Sequence, residues 1–176
     1  MQLIISASDR VLARYGNALA ALGEGQARKA LSRALNHEGD KGRTQVKRVL
    51  VRQTGVKYGA VEKAMATIRA TPATLTYTLK ARGDETNIAW FGGLKRRKGV
   101  SAAPWNKRRI FARSFIVPRF GRALIRTSKK RLPIRPLYGP NLARELVKDS
   151  SAAAWQGGVT NIVVRVGHEI GRMLSR

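Results

Sequence analysis

Near residue 66 the hydrophobic period of the chain changes, and this change constrains the fold more than any other feature. Before it, apolar residues recur at helical spacing. Val11, Leu12, Tyr15, Leu19 and Leu22 predict a first helix, capped by Ser8 or Asp9 and broken by Gly23 and Gly25. A short apolar run, residues 2–6, precedes it as a candidate edge strand. A long basic helix is expected over residues 26–53. Its apolar stripe is Ala27, Ala30, Leu31, Ala34, Leu35, Gln45, Val46, Val49 and Leu50. Arg28, Lys29, Arg33, Lys41, Arg43, Lys47, Arg48 and Arg52 fall on its other faces. The polar stretch 36–42 holds Gly39 and Gly42, where a bend is expected. Gly55 ends this helix, and residues 57–65 predict a short one.

After the change the pattern is that of strands. Leu75, Tyr77, Leu79 and Ala81 alternate with Thr74, Thr76, Thr78 and Lys80, a half-buried strand. Arg82-Gly83-Asp84 turns the chain into a return strand at residues 88–91. A basic loop bounded by glycines follows at 92–99, then strand-like pieces at 100–105, 111–117 and 123–127. Residues 132–140 hold three of the six prolines and predict an extended connector with no helix from Leu132 to Tyr138. Helical spacing returns at 141–148 and in Val159, Ile162, Val163, Val166, Ile170, Met173 and Leu174. The expected fold is α+β: a long N-terminal helix packed on an antiparallel β-sheet, with a C-terminal helix. One domain spans residues 1–176. Its parts are the helix (about 26–53), a β-rich basic region (about 66–131), the connector (132–140) and a C-terminal helical region (141–176).

Charge is the second constraint. Thirty-five Lys and Arg stand against 10 Asp and Glu, a formal net charge of +25. Between Thr86 and Arg144 there are sixteen Lys or Arg and no acid. Such an imbalance is self-repelling in a compact chain. It implies an anionic partner: nucleic acid, an acidic protein surface or anionic lipid. No apolar run approaches the roughly 18 residues that span a bilayer, and residues 1–7 are too short for a signal peptide. The expectation is a soluble protein made in a cytoplasm, with no membrane partner. The absence of cysteine removes disulfides and thiolate chemistry.

No residue pattern predicts catalysis. His37 and His168 lack further ligands at metal-binding spacing, and His168-Glu169 lacks the second histidine of a zincin helix. The close acidic pairs Glu38/Asp40 and Asp84/Glu85 sit beside glycine and bases, which reads as salt bridging in turns. Ser101 and Ser114 have no nucleophile-elbow context, and Gly92-Gly93 lacks the ending of a phosphate loop. A non-enzymatic protein without cofactor or metal is expected.

Contact residues are easier to nominate. Lys95, Arg96, Arg97 and Lys98, with Lys107, Arg108 and Arg109 and with Lys129, Lys130 and Arg131, could neutralise phosphates or pair with carboxylates. Trp90, Phe91 and Trp105 interleave with them and could stack on bases, although Trp90 and Phe91 also suit the core of a small sheet. Residues 44–69 have helix-turn-helix proportions, with Tyr58, Glu62 and Lys63 available to a recognition helix. The plainer reading is a helical corner packed on the sheet.

The stretch RALNHEGDKGRTQVKRVLVRQTGV (residues 33–56) resembles the opening helix of the minor tail protein Z family of lambdoid phages and prophages. Gly99-Val100 after the basic loop, the segment from Trp105 to Phe111, the region of Phe115 and above all RLPIRPLYGP (131–140) are also similar to that family. The resemblance runs from about Arg33 to Val147. Family members often carry Gly-Gly-Arg after the tryptophan, where this chain has Asn106-Lys107-Arg108. From Ala152 onward there is no likeness. The resemblance implies a non-enzymatic tail completion protein at the head-proximal end of a long non-contractile tail, assembled in the host cytoplasm. The implied partners are other tail and neck subunits: the tail terminator, tail tube and head-tail connector proteins. A head-to-tail ring of the chain is implied as well, six copies matching a typical tail tube, with non-specific contact to genomic DNA. The alternative is a nucleic-acid-binding protein with no virion role.

Overall fold

The computed structural model describes residues 1–6, 9–83 and 85–175, without the side chains of Asp9, Arg10 and Leu12. Asp84 and the Ser8 or Asp9 cap therefore lie outside the described residues. The fold is α+β. Strand β1 (Gln2–Ser6) leads into α1 (Asp9–Leu22), and the long helix α2 (Glu24–Thr54) and the short α3 (Tyr58–Ala64) follow. Next come β2 (Met65–Ile68), β3 (Thr76–Ala81) and β4 (Glu85–Asn87). The β-rich middle continues with β5 (Leu94–Arg96), β6 (Gly99–Ala102), β7 (Arg109–Ala112), β8 (Ser114–Val117) and β9 (Arg122–Arg126). After β10 (Ile134–Pro136) and β11 (Tyr138–Asn141) the chain closes with α4 (Leu142–Leu146), α5 (Asp149–Gly158) and α6 (Ile162–Leu174). No described helix is long and apolar enough to cross a membrane.

Among the described residues all strand pairings are antiparallel, but they divide into four small sheets: β1-β3-β2, β5-β6-β7, β10-β9-β8 and β11-β4. The opening strand is an edge, as its sequence suggests, and pairs with β3 from Gln2↔Lys80 to Ser6↔Thr76. Two apolar clusters share α2. From Leu35 onward the helix places Leu35, Val46 and Leu50 with Tyr77, Leu79, Ile88, Val100 and Leu146. Its N-terminal part places Ala27, Ala30, Leu31 and Ala34 against Val11, Leu19, Val166 and Ile170 of α1 and α6.

Several expectations are corrected. Gly23 alone breaks the first two helices, with φ of 75°, while Gly25 lies inside α2. The expected bend at 36–42 is absent: α2 runs unbroken for 31 residues, about 46 Å at 1.5 Å per residue. Gly39 and Gly42 serve close packing instead. A Cβ on Gly39 would stand 2.5 Å from Tyr77 Cγ, and one on Gly42 would stand 2.8 Å from Trp155 Cε3. Gln45 is exposed although it lies in the expected stripe, and Lys47 is buried although it lies on another face. Glu38 is no turn residue but sits mid-helix, 1% exposed.

Met65 belongs to a strand, and β2 carries too little alternation to be read from sequence. Residues 88–91 do not return as a strand. Ile88–Trp90 is a 3₁₀ turn, and β4 just before it pairs with β11 rather than β3. The basic segment 92–99 is a hairpin, not a loop, with Lys95 opposite Val100 and Arg96 opposite Gly99. Helix α5 falls inside the expected C-terminal helical region, although its Ala-, Ser- and Gly-rich sequence has too little periodicity to mark it as a separate helix.

Residues 132–140 are extended, as the prolines dictate. β10 pairs with β9, and β11 pairs with β4. Between them the Leu137 N–H donates to the Ala123 carbonyl at 2.9 Å, and its carbonyl accepts from the Ile88 N–H at 3.1 Å. The connector is thus a strap tying two sheets together.

Candidate functional site

The C-terminal end of α2 holds the cationic half in place. Gln53 donates to Glu145, and the indole N–H of Trp105 donates to the same carboxylate at 3.1 Å, as does Lys148 at 2.5 Å. Gln53 in turn accepts from Ser150 at 2.6 Å. Asn106 donates to the Arg52 carbonyl at 2.6 Å. Glu145 is 3% exposed. Burial alone would push its carboxyl up, but the hydrogen bonds from Lys148, Trp105 and Gln53 outweigh it and hold the group below its ordinary value of 4.5. Sequence reading missed Glu145, because Gln53 and Trp105 lie 92 and 40 residues away.

All ten nominated cations are exposed. Lys95 and Arg96 lie on the edge strand β5, where charge also discourages pairing with other chains. Arg97 and Lys98 form the tip of the β5–β6 hairpin. Lys129, Lys130 and Arg131 occupy the β9–β10 connection. These two clusters flank one corner: Gly99 pairs with Ala112, the Val100 N–H donates to Ser114 Oγ at 2.9 Å, and the Arg126 N–H donates to the Arg113 carbonyl at 3.1 Å. Arg113 at that corner has φ of 60°, the turn that swings β7 into β8. Lys107, Arg108 and Arg109 start the opposite end of β7, about 10 Å away at the rise of a strand. Arg108 folds back to the Gly92 carbonyl and Ser101, and Arg109 lies over Phe111 at 4.7 Å. Two of the three clusters therefore converge.

Of the sixteen cations between Thr86 and Arg144, only Arg144 has an acidic ion-pair partner among the described residues, Glu85 at 3.5 Å. The helical half differs. Lys47 holds Glu62 at 2.7 Å, Lys41 holds Glu38 at 2.8 Å, and Arg165 and Arg69 hold Glu169 and Asp40. Burial alone would lower the Lys47 ammonium, but hydrogen bonds to Glu62 and Tyr58 raise it above its usual value. Burial and the Asp40 hydrogen bond push Tyr77 up to about 12.

The helix-turn-helix proportions resolve into a corner that buries Val56 and Val61 and leaves Tyr58, Glu62 and Lys63 exposed. Lys47 lies 4.6 Å over the Tyr58 ring and grips Glu62, so two of the three proposed base readers are occupied within the chain. Phe91 is buried, but Trp90 is 63% exposed, contrary to its expected place in a core. Ser114 Oγ donates to the Phe111 carbonyl, a structural role. Among the described residues no three His, Cys, Asp or Glu side chains gather as a metal-binding group. No protein-family model, curated protein or solved structure matches the chain.

Proposed function

We propose that this chain is a structural subunit of a long non-contractile bacteriophage tail, acting by contact rather than chemistry as a tail completion protein at the head-proximal end. The observation that carries the reading is the missing countercharge. A segment with sixteen cations and no acid leaves all but Arg144 without an acidic partner among the described residues. A surface of this kind attracts anionic neighbours. The resemblance of residues 33–56 and 131–140 to the minor tail protein Z family names those neighbours as tail and neck subunits. Head-to-tail contacts between copies would close a ring, six-fold if it follows a tail tube.

Support also comes from what the motif residues do. Asn36 clasps the Ala70 backbone from both sides, at 2.9 and 2.8 Å. Gln53 bridges Glu145 and Ser150, Gly55 makes room for Asn106, and Leu137 ties two sheets. The residues that carry the resemblance are among the cross-ties of the fold.

Deleting the chain from the phage or prophage that encodes it tests the proposal. Heads and tails should still form while infectivity falls sharply, and complementation should restore it. Deletion particles that infect normally would refute a completion role.

A further inference from the structure

A cleft of about 450 Å³ opens where β4, β9, β10 and β11 meet, lined by Trp90, Arg122, Pro136 and Tyr138 with Glu85 and Asn87. It falls within the range of roughly 300–1,000 Å³ that small ligands occupy. The tryptophans of the chain fall into two kinds. The Trp155 N–H donates to the Ile4 carbonyl at 3.4 Å, and that of Trp105 donates to Glu145. Trp90 is 63% exposed, and among the described residues its N–H has no acceptor. The tyrosines divide similarly. Tyr77 donates to Asp40, Tyr58 lies under Lys47, and Tyr15 is pressed against Gly167. Tyr138 is 49% exposed and has no hydrogen-bond partner through its hydroxyl among the described residues. One exposed aromatic needs no explanation. Two of them in one cleft, beside an arginine with no acidic partner there, form a recognition surface.

The cleft is also held in shape. Asn87 is buried, accepts from the N–H groups of Ala89 and Ala123 at 3.0 and 2.7 Å, and donates to the Ala123 carbonyl at 3.1 Å. The turn carrying Trp90 is therefore fixed to β9, and binding need not order it.

We propose that this cleft takes an unpaired base of single-stranded nucleic acid, stacked against Trp90 and Tyr138, with Arg122 on the adjoining phosphate. Stacking on an aromatic platform beside a cationic track is how single strands are held. Arg122 and Arg126 on one face of β9, with Arg119 in the turn before it, are all exposed and supply the track. An acidic peptide fits less well. Aromatic faces carry negative quadrupole charge that carboxylates avoid, and Glu85 already lines the cleft, held by Arg144. Duplex DNA keeps its bases stacked internally and cannot offer one. A tail subunit and a free-standing nucleic-acid binder could both use such a cleft, and the test reads binding by the purified chain alone, independent of tail assembly.

The measurement is fluorescence anisotropy with a labelled oligothymidylate about 20 nucleotides long, set against a duplex of equal length. Trp90→Ala, at an exposed position, should melt like the parent protein. It should bind the oligothymidylate about 5- to 150-fold more weakly, the loss of one stacked base, while Trp90→Phe keeps most of the affinity. Duplex binding and the salt slope should not change with Trp90→Ala. Arg122→Ala should lower the single-strand slope by about 0.7. Tyr138→Ala should repeat the Trp90→Ala loss; if it unfolds, the Trp90 pair decides. Unaltered oligothymidylate affinity in a folded Trp90→Ala variant would overturn the proposal. So would Trp90-dependent binding of polyglutamate by a protein with no affinity for the oligothymidylate, which would assign the cleft to an acidic protein.

Discussion

Lys47 and Lys98 show how the two halves of this molecule differ. Lys47 is 6% exposed on α2, hydrogen-bonded to Glu62 and stacked over Tyr58. Lys98 stands exposed at a hairpin tip, in a segment that offers no acid. In the helical half, eight cations pair with acids and so take part in the fold. A buried acid there is tolerated because a base reaches it, as Lys41 reaches Glu38 and Arg165 reaches Glu169. In the β-rich half, short strands and backbone ties hold the chain, and the cations are left to the outside. The contrast teaches that a net charge of +25 is two populations with different work, and substitutions should separate them.

The largest effect is expected where the helical half is most tightly built. Tyr77 is fully buried, seated on Gly39 and stacked 6.0 Å from Trp155. Tyr77→Ala should lower unfolding free energy by about 3–5 kcal/mol, as other buried aromatic truncations do, measured by chemical denaturation. A loss under about 1 kcal/mol would mean that this seat is not a keystone of the helical half.

Glu145 joins the halves, and its removal comes next. Glu145→Ala leaves Trp105 and Gln53 without their acceptor, at a cost of about 1–3 kcal/mol. The pH dependence sharpens the point. Its carboxyl is held below 4.5 in the folded chain, so its stabilisation is present above that value and is lost as pH falls through the lower folded pKa. Thermal melts below pH 4.5 should therefore decline less steeply for Glu145→Gln than for the parent. Parallel acid limbs would break the anchoring role.

Gly39→Ala is a smaller test with an informative sign. Alanine gains about 1 kcal/mol over glycine inside a helix, but its Cβ would meet the Tyr77 ring at 2.5 Å. Overpacking of this kind costs about 1–3 kcal/mol, so the net change should be destabilising. Gly16→Ala on α1, with nothing within 4 Å of the added carbon, should stabilise instead.

Much of the architecture was legible because helices announce themselves locally. Gly55 stops α2 in the left-handed conformation expected of it, and Pro133, Pro136 and Pro140 keep the strap extended. The strand pairings were not legible. β4 pairs with β11 across some 50 residues, as Asn141↔Glu85 shows, and three-residue strands carry no usable alternation. The cationic clusters could be named from sequence because charge on connections is exposed almost by default. Their convergence at Arg113 could not, since it depends on one residue with φ of 60°. Tyr138 and Arg122 were passed over for the same reason: nothing in a linear reading places them beside Trp90.

The smallest stability effect should come from the β-rich cations, and it bears most directly on the division of labour. Lys95, Arg96, Arg97 and Lys98 changed together to Ala should leave unfolding free energy within about 0.5 kcal/mol per site. Incorporation of this folded variant into purified tails, read by immunoblot against the parent chain, is the decisive measurement. The account predicts a near-parental melting temperature together with a sharp loss of incorporation and infectivity. Normal incorporation by a folded variant would contradict it, because the exposed cations of the hairpin would then serve no partner in the particle.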